Sequence, residues 1–339
     1  MTREKTTCFK WIFFTFLILH FVVVFGVARK GYFDVFEERT ISPENQILQI
    51  PSGQTLNELL EELETRKMSP QPFWVKLVMF LEQRQFIIKK GRYRLAERMS
   101  TWQILEKLDN GLVETTKITI QEGLEKWEVA DLLGKTKWGD RDQFKELIQN
   151  SELIYELDPG ASDLEGYLFP ETYYFEDETT PEQIIRTLVE HFKNEMEPHL
   201  HKLTEMKLTV REWVTLASMV EKETAKKEER KRIAGVFLNR KRRGMQYQCD
   251  PTIVYALKRE GKYRGKIFLS DLKFNSPYNT YVAPGLPPGP IASPGKASLM
   301  AVLEPEDHPY LYFVSKNDGS HHFSKTLSEH NRNVQRYQR

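Results

Sequence analysis

A chain of 339 residues with 49 Lys and Arg against 48 Asp and Glu carries a net charge of +1. Its length can bury a sizeable core in more than one domain, and so even a charge balance excludes nucleic acid or acidic partners held by bulk electrostatics. With only Cys8 and Cys249, the fold must stand on packing rather than disulfides, and no CxxC, HExxH or histidine spacing points to a metal. The first element is an apolar run from Trp11 to Ala28, broken only by Thr15, His20 and Gly26. It lies near the lower limit of ~17 residues for crossing a bilayer. Arg3, Lys5 and Lys10 precede it and Arg29 and Lys30 follow, a bias that favours an inside N-terminus. Gly26-Val27-Ala28 is also a small-x-small cleavage pattern, but the run is long and rich in Phe for a signal peptide. The expectation is a cytoplasmic tail over 1–10, an uncleaved anchor over 11–29, and everything from 31 onward outside the cytoplasm.

Residues 31–46 show no apolar period and predict a short tether. Ile50 closes a strand that turns through Gly53 into Leu56, Leu59, Leu60 and Leu63 at helical spacing. A second apolar helix spans about Pro72 to Gln85, Gly91 to Leu95 alternates as a strand, and Ser100 caps a helix carrying Ile104, Leu105 and Leu108. This strand–helix–helix–strand order, opened by Pro51-x-Gly53-x-Thr55-Leu56, resembles LysM modules, which bind N-acetylglucosamine polymers. The resemblance covers 47–112 only, and a packed spacer with no sugar site fits the same pattern.

Further along, Glu165 to Tyr173 is an aromatic-rich extended piece, and Thr180-Pro181 opens a helix whose stripe is Ile184, Ile185, Leu188 and Val189. The helix of greatest interest runs from Val210 to Thr224. Thr209 and Glu212 have capping-box spacing, with Leu208 and Trp213 placed as a hydrophobic staple. Val210, Trp213, Val214 and Ala217 recur at i, i+3, i+4 and i+7, and the next place on that stripe holds Glu221. Arg211, Thr215, Ser218 and Lys222 form the polar stripe beside it. A carboxylate seated where packing wants an apolar group is a candidate general acid. A helix that ends near Ala217, with Glu221 in solvent, fits the pattern equally well. Downstream, Asp250-Pro251 reads as a cap and a first-turn proline, and Asn275 to Gly295 as a long loop of rigid turns. Tyr278, Asn279, Thr280 and Tyr281 on that loop offer an amide, a hydroxyl and phenols suited to sugars. Asp250, and Gln248 beside Cys249, are further groove candidates. His321, in a Gly-x-His-x-Phe setting, either orients a polar partner or satisfies a core hydrogen bond.

Several blocks together resemble the YceG-like family: Glu165-Gly166-x-Leu168-Phe169-Pro170-x-Thr172-Tyr173, Ala217 to Thr224, Val236 to Arg240, Asp250-Pro251-Thr252, Ser276 to Tyr281 and Gly285 to Ile291. The resemblance implies an α+β fold: an N-terminal transmembrane helix, a small LysM-like α+β domain and a larger α+β catalytic domain over 116–335. It also implies an endolytic murein transglycosylase that cuts the N-acetylmuramic acid–β-1,4–N-acetylglucosamine bond inside peptidoglycan strands and leaves 1,6-anhydro ends. The family's catalytic glutamate falls on Glu221, with Glu223 as the rival two residues on. Gln248, Asp250, Tyr278, Asn279, Thr280 and Tyr281 are carried as substrate contacts, and Cys249 stands where a small polar residue is expected. No metal or organic cofactor is implied. The partners implied are glycan strands, the plasma membrane through a single-pass anchor, and peptidoglycan synthases, with the catalytic part on the periplasmic side. A water-using muramidase and a non-catalytic wall-binding scaffold remain as alternatives.

Overall fold

The computed structural model describes the backbone of residues 3–338 and side chains from Thr15 to Gln338. The side chains on which the expected tail over 1–10 rests, Arg3, Lys5, Cys8 and Lys10, lie outside the described residues. The chain divides into two units, Met1–Thr116 and Lys117–Arg339.

The first unit opens with α1 (Arg3–Phe36). Over Thr15–Phe36 this helix is long and apolar enough to cross a membrane, and Phe16, Phe21 and Phe25 stand exposed along it. The expected tether does not begin at residue 31, because the helix continues through Phe36. Gly31 lies so close to the Trp74 ring that a Cβ would have no room, and Val35 is fully buried. Tyr32, Val35 and Phe36 form a short i, i+3, i+4 stripe, too brief to register as a period among the surrounding charges.

Beyond α1 come β1 (Arg39–Thr40), β2 (Ile47–Ile50), α2 (Leu56–Thr65), α3 (Pro72–Leu81), β3 (Gly91–Arg94), β4 (Arg98–Met99) and α4 (Thr101–Asp109). β2 pairs antiparallel with β3, Ile47 opposite Arg94 and Ile50 opposite Gly91, and β1 pairs with β4. Capping boxes at Thr55–Glu58 and Ser100–Gln103 start α2 and α4, each satisfying two otherwise orphaned N–H groups. Leu48, Leu59, Leu60, Leu63, Tyr93, Ile104 and Leu108 close one core with Val35.

The second unit begins with β5 (Thr115–Thr119), α5 (Lys126–Leu133), α6 (Arg141–Gln149), β6 (Thr172–Glu176), which pairs with β5, and α7 (Pro181–Met196). Then follow α8 (Leu200–Met206), α9 (Val210–Glu223), α10 (Lys227–Arg242), α11 (Asp250–Arg259) and α12 (Lys296–Leu303). The hairpin of β7 (Tyr312–Ser315) and β8 (His321–Ser324) precedes α13 (Leu327–Tyr337). The whole is a mixed α+β fold.

α9 is the axis of this unit. Thr209 and Glu212 make both capping-box bonds, at 3.1 and 2.9 Å, and Leu208 and Trp213 are buried. Every residue from Trp213 to Val220 is buried, so the stripe of Thr215 and Ser218 does not face solvent as the sequence suggests. Ser218 is accommodated because its hydroxyl donates to Thr215 O at 2.7 Å and accepts the Ile291 N–H at 3.0 Å. The long loop thus lies on the helix side that the sequence assigns to water. Trp213 Nε1 donates to Leu299 O at 2.9 Å, which ties α12 to the same helix.

Candidate active site

Two carboxylates leave the last turn of α9 in different directions. Glu221 has only 6% of its side chain exposed, and both its oxygens are engaged. Arg230 Nη2, on α10, donates to Oε1 at 2.9 Å, and the Gly295 N–H donates to Oε2 at 3.0 Å. Arg230 also reaches Glu122 at 3.4 Å, and Lys222 Nζ donates to Gly123 O at 3.0 Å. At Gly295 the Glu122 carboxylate lies where a Cβ would stand. Glu221 therefore cross-links the end of α9, the start of α10 and the end of the long loop. An ion pair this dry is costly to break from either side.

Glu223 instead faces a cavity of about 370 Å³, within the range of roughly 300–1,000 Å³ typical of small-ligand sites. Its Oε2 accepts the Cys249 S–H at 3.4 Å. Burial, and after it the Asp250 carboxylate, push the Glu223 carboxyl up to about 7, while the Cys249 thiol and the Arg240 guanidinium pull it back down. As the last residue of α9, Glu223 also sits at the negative end of the helix dipole, which disfavours a further negative charge. The Cys249 thiol is itself pushed well up, by burial and then by Glu223.

Gln248, Asp250 and Tyr281 line the same cavity. The Tyr281 hydroxyl donates to Asp250 Oδ1 at 2.7 Å; burial, then Asp250, raises the phenol above its ordinary value. Asp250 is the first residue of α11 rather than its cap, which is Cys249 with no side-chain bond. The carboxylate expected to close the helix is thereby left to the cavity. Gln248 is held at φ +49°, a left-handed conformation that costs a non-glycine residue about 1–3 kcal/mol and is concentrated at functional sites. Arg240 builds another wall. Its Nε donates to Leu311 O at 2.6 Å and its Nη1 to Gln246 O at 3.0 Å and Tyr247 O at 2.6 Å. Tyr312, His321 and His330 close the far side. The His330 ring stacks on Tyr312 at 5.3 Å, and burial, then Arg240, holds this histidine below the ordinary imidazole value.

The other loop residues expected in the groove lie elsewhere. Tyr278 is 7% exposed and packs on Tyr255 at 4.9 Å and Arg259 at 5.0 Å. Asn279 is wholly buried. Its Nδ2 donates to Leu272 O at 3.2 Å and Phe274 O at 2.8 Å, and its Oδ1 accepts the Tyr281 N–H at 3.0 Å. Thr280 accepts the Cys249 N–H at 3.0 Å and bonds Thr252 Oγ1 at 2.9 Å. The amide and hydroxyl read as sugar contacts are satisfied inside the protein, as buried polar groups generally are. Their effect is to fix the backbone that carries Gln248, Asp250 and Tyr281. A further carboxylate, Glu165, accepts the Lys126 N–H at 3.1 Å and the Tyr255 hydroxyl at 3.0 Å, and burial pushes it up to about 8. It borders a void of about 20 Å³, room for a water molecule and not a sugar ring.

The family resemblance, more than the helix pattern, favours Glu221 over Glu223, whose helix face is that of Leu216 and Met219. Those residues are 1% and 0% exposed, so in a helix buried all round the face no longer separates one carboxylate from the other. Arg240 enters the sequence reading only as the end of the Val236 to Arg240 block, with no role, and His330 does not enter it. A buried arginine bonded to three carbonyls has no local signature, and His330 lies in a polar tail.

A model of the YceG-like family matches residues 48–336. The chain belongs to that family. It is 35% identical over 263 residues to the endolytic murein transglycosylase of Bacillus subtilis (strain 168), covering 73% of this chain and 72% of that one. With the endolytic murein transglycosylase of Streptococcus pneumoniae serotype 2 (strain D39) it shares 31% identity over 322 residues, or 84% of this chain and 57% of the pneumococcal one. The crystal structure of a YceG-like protein from Listeria monocytogenes matches with a TM-score of 0.57 at 32% identity, over 88% of this chain and 99% of that one.

Proposed function

We propose that this YceG-like chain is an endolytic murein transglycosylase whose general acid is Glu223, with Glu221 holding the site together rather than reacting. The observation that carries the assignment is the carboxyl of Glu223 in a cavity with Gln248, Asp250 and Tyr281, pushed up to about 7. A group that is still partly protonated near neutral pH is suited to donate a proton there. Membership in a family whose curated relatives are named endolytic murein transglycosylases supplies the substrate and reaction class.

In this reading Glu223 protonates the glycosidic oxygen between N-acetylmuramic acid and N-acetylglucosamine as the C1–O bond breaks. The muramyl C6 hydroxyl attacks C1, and the carboxylate that Glu223 has become takes the hydroxyl proton. The product end is 1,6-anhydromuramic acid, and no water is consumed. Asp250 favours a second reading, since a paired carboxylate in the same cavity is what a water-using muramidase needs. Its bond from Tyr281 equally suits a fixed charge that keeps Glu223 protonated. The apolar α1 supports a single-pass anchor; a second unit outside the cytoplasm, beside peptidoglycan synthases, rests on the flanking charges and the family resemblance. The first unit, if LysM-like, adds a hold on the strand.

The test is digestion of purified glycan strands by the full chain in detergent, with products weighed. Anhydromuramyl ends are expected; reducing muramyl ends would move the assignment to the muramidase, and no cleavage to a scaffold. Glu223→Gln should lower turnover by on the order of 10²–10⁴-fold with the fold intact. Loss on Glu221→Gln alone, at an unchanged Tm, would return the acid to Glu221.

A further inference from the structure

The Glu223 cavity is lined by one member, His321, of a histidine–carboxylate pair that the reaction above does not use. His321 opens β8, and Glu229 lies on the first turn of α10. The pair is held by two bonds. The His321 N–H donates to Glu229 Oε1 at 3.0 Å, and His321 Nδ1 meets Oε2 at 2.7 Å. Only 8% of the His321 side chain and 12% of the Glu229 side chain are exposed. A carboxylate accepts and does not donate, so Nδ1 carries the hydrogen and Nε2 is the ring nitrogen left to meet a ligand. Phe313 sits edge-on to the imidazole at 5.4 Å and leaves the ring little freedom to turn. Nε2 makes no hydrogen bond to any described residue, and His321 lines the cavity that Glu223 faces.

We propose that His321 is a substrate-binding residue of this cavity, held in one tautomer by Glu229, whose Nε2 accepts a hydrogen bond from a hydroxyl or acetamido N–H of the glycan. The same pair also clamps β8 to α10, so loss of activity alone would not tell a contact from a clamp. Arg240 on the same cavity offers only donors, so an acceptor at His321 would complement it. Glu229 is then a positioning residue that acts through the ring.

The proposal rests on Glu223 as the acid, and the experiment separates the two. Glycan strands are digested by the full chain carrying His321→Ala, with and without added imidazole, and kcat and KM are measured alongside Tm. The expected result is a roughly threefold to tenfold fall in kcat/KM, mostly through KM, as for one lost neutral hydrogen bond. Imidazole, entering the space left open to the cavity, should restore most of it. Wild-type kcat/KM without imidazole would overturn the proposal, and so would a loss that imidazole does not restore, which would assign His321 to the clamp alone. Glu229→Gln should give a smaller loss that imidazole leaves unchanged; a Glu229 variant as active as wild type would remove its positioning role. Full activity in Glu223→Gln would sink the underlying reading without bearing on whether His321 variants respond to imidazole.

Discussion

The two sides of the last turn of α9 put similar carboxylates into opposite circumstances. On the Glu221 side a buried guanidinium and a backbone N–H take both oxygens, and the charge is neutralised where it stands. On the Glu223 side a weak thiol donor is the carboxyl's hydrogen-bond partner, another carboxylate opposes the charge, and Arg240 offsets it only in part, with a cavity open in front. Burial alone does not make an acid. What distinguishes the pair is whether burial comes with a partner for the charged form, because only an uncompensated carboxyl keeps its proton.

The largest effect should come from breaking the compensated side. Glu221→Gln leaves the buried Arg230 with only the half-exposed Glu122 as counter-charge and should cost up to about 3–5 kcal/mol, seen as a fall of several degrees in Tm by calorimetry. An unchanged Tm would mean that the two sides are not as different as their contacts indicate. Next is Asn279→Ala, which removes three internal bonds beside the cavity and should cost about 1–3 kcal/mol in urea unfolding.

The uncompensated side is tested by pH. Protonated Glu223 is the active form, so kcat/KM should fall as pH rises through about 7. Asp250→Asn removes the like charge and lowers the Glu223 value, so the same fall should begin at a pH lower by about one unit. A limb that moved upward would contradict the sign of that coupling. Stability follows the same proton. The folded chain holds it up to about 7 and the unfolded chain only to the ordinary 4.5, so this group's contribution to stability should decline as pH rises between those values and level off above them. The smallest shift belongs to Cys249→Ser. A hydroxyl donates to a carboxylate more strongly than a thiol, so the limb should move down by less than about one unit in the same pH series.

Much of this architecture can be read from sequence wherever local rules and tertiary packing agree. The Thr209–Glu212 box, the Thr55–Glu58 box and the Leu59–Leu60–Leu63 stripe are such places. The site is legible only in part. Gln248, Asp250 and Tyr281 were singled out by chemistry and do line the cavity. Tyr278, Asn279 and Thr280 carry the same chemistry and are turned inward, because a proline-rich loop must satisfy its own buried carbonyls and N–H groups. Amphipathic reasoning failed at α9 for a related reason. It presumes one face in water, and this helix has the long loop on the side that sequence leaves to solvent. Arg240 and the Glu229–His321 pair depend on contacts across 71 and 92 residues, a range at which periodicity carries no information.

The unbroken passage of α1 into the first unit has a mechanical consequence. From Arg29 to Phe36 the helix rises about 10 Å, at ~1.5 Å per residue, and within that distance Gly31 and Val35 are already locked in the unit's core. A bilayer gripping the apolar part of α1 would therefore grip the first unit through a rigid mast rather than a leash. The unit could spin with the helix and tilt with it, but could neither drift away from the surface nor turn independently of the rod below. Any strand it held would be held at a fixed height, as by the arm of a gauge.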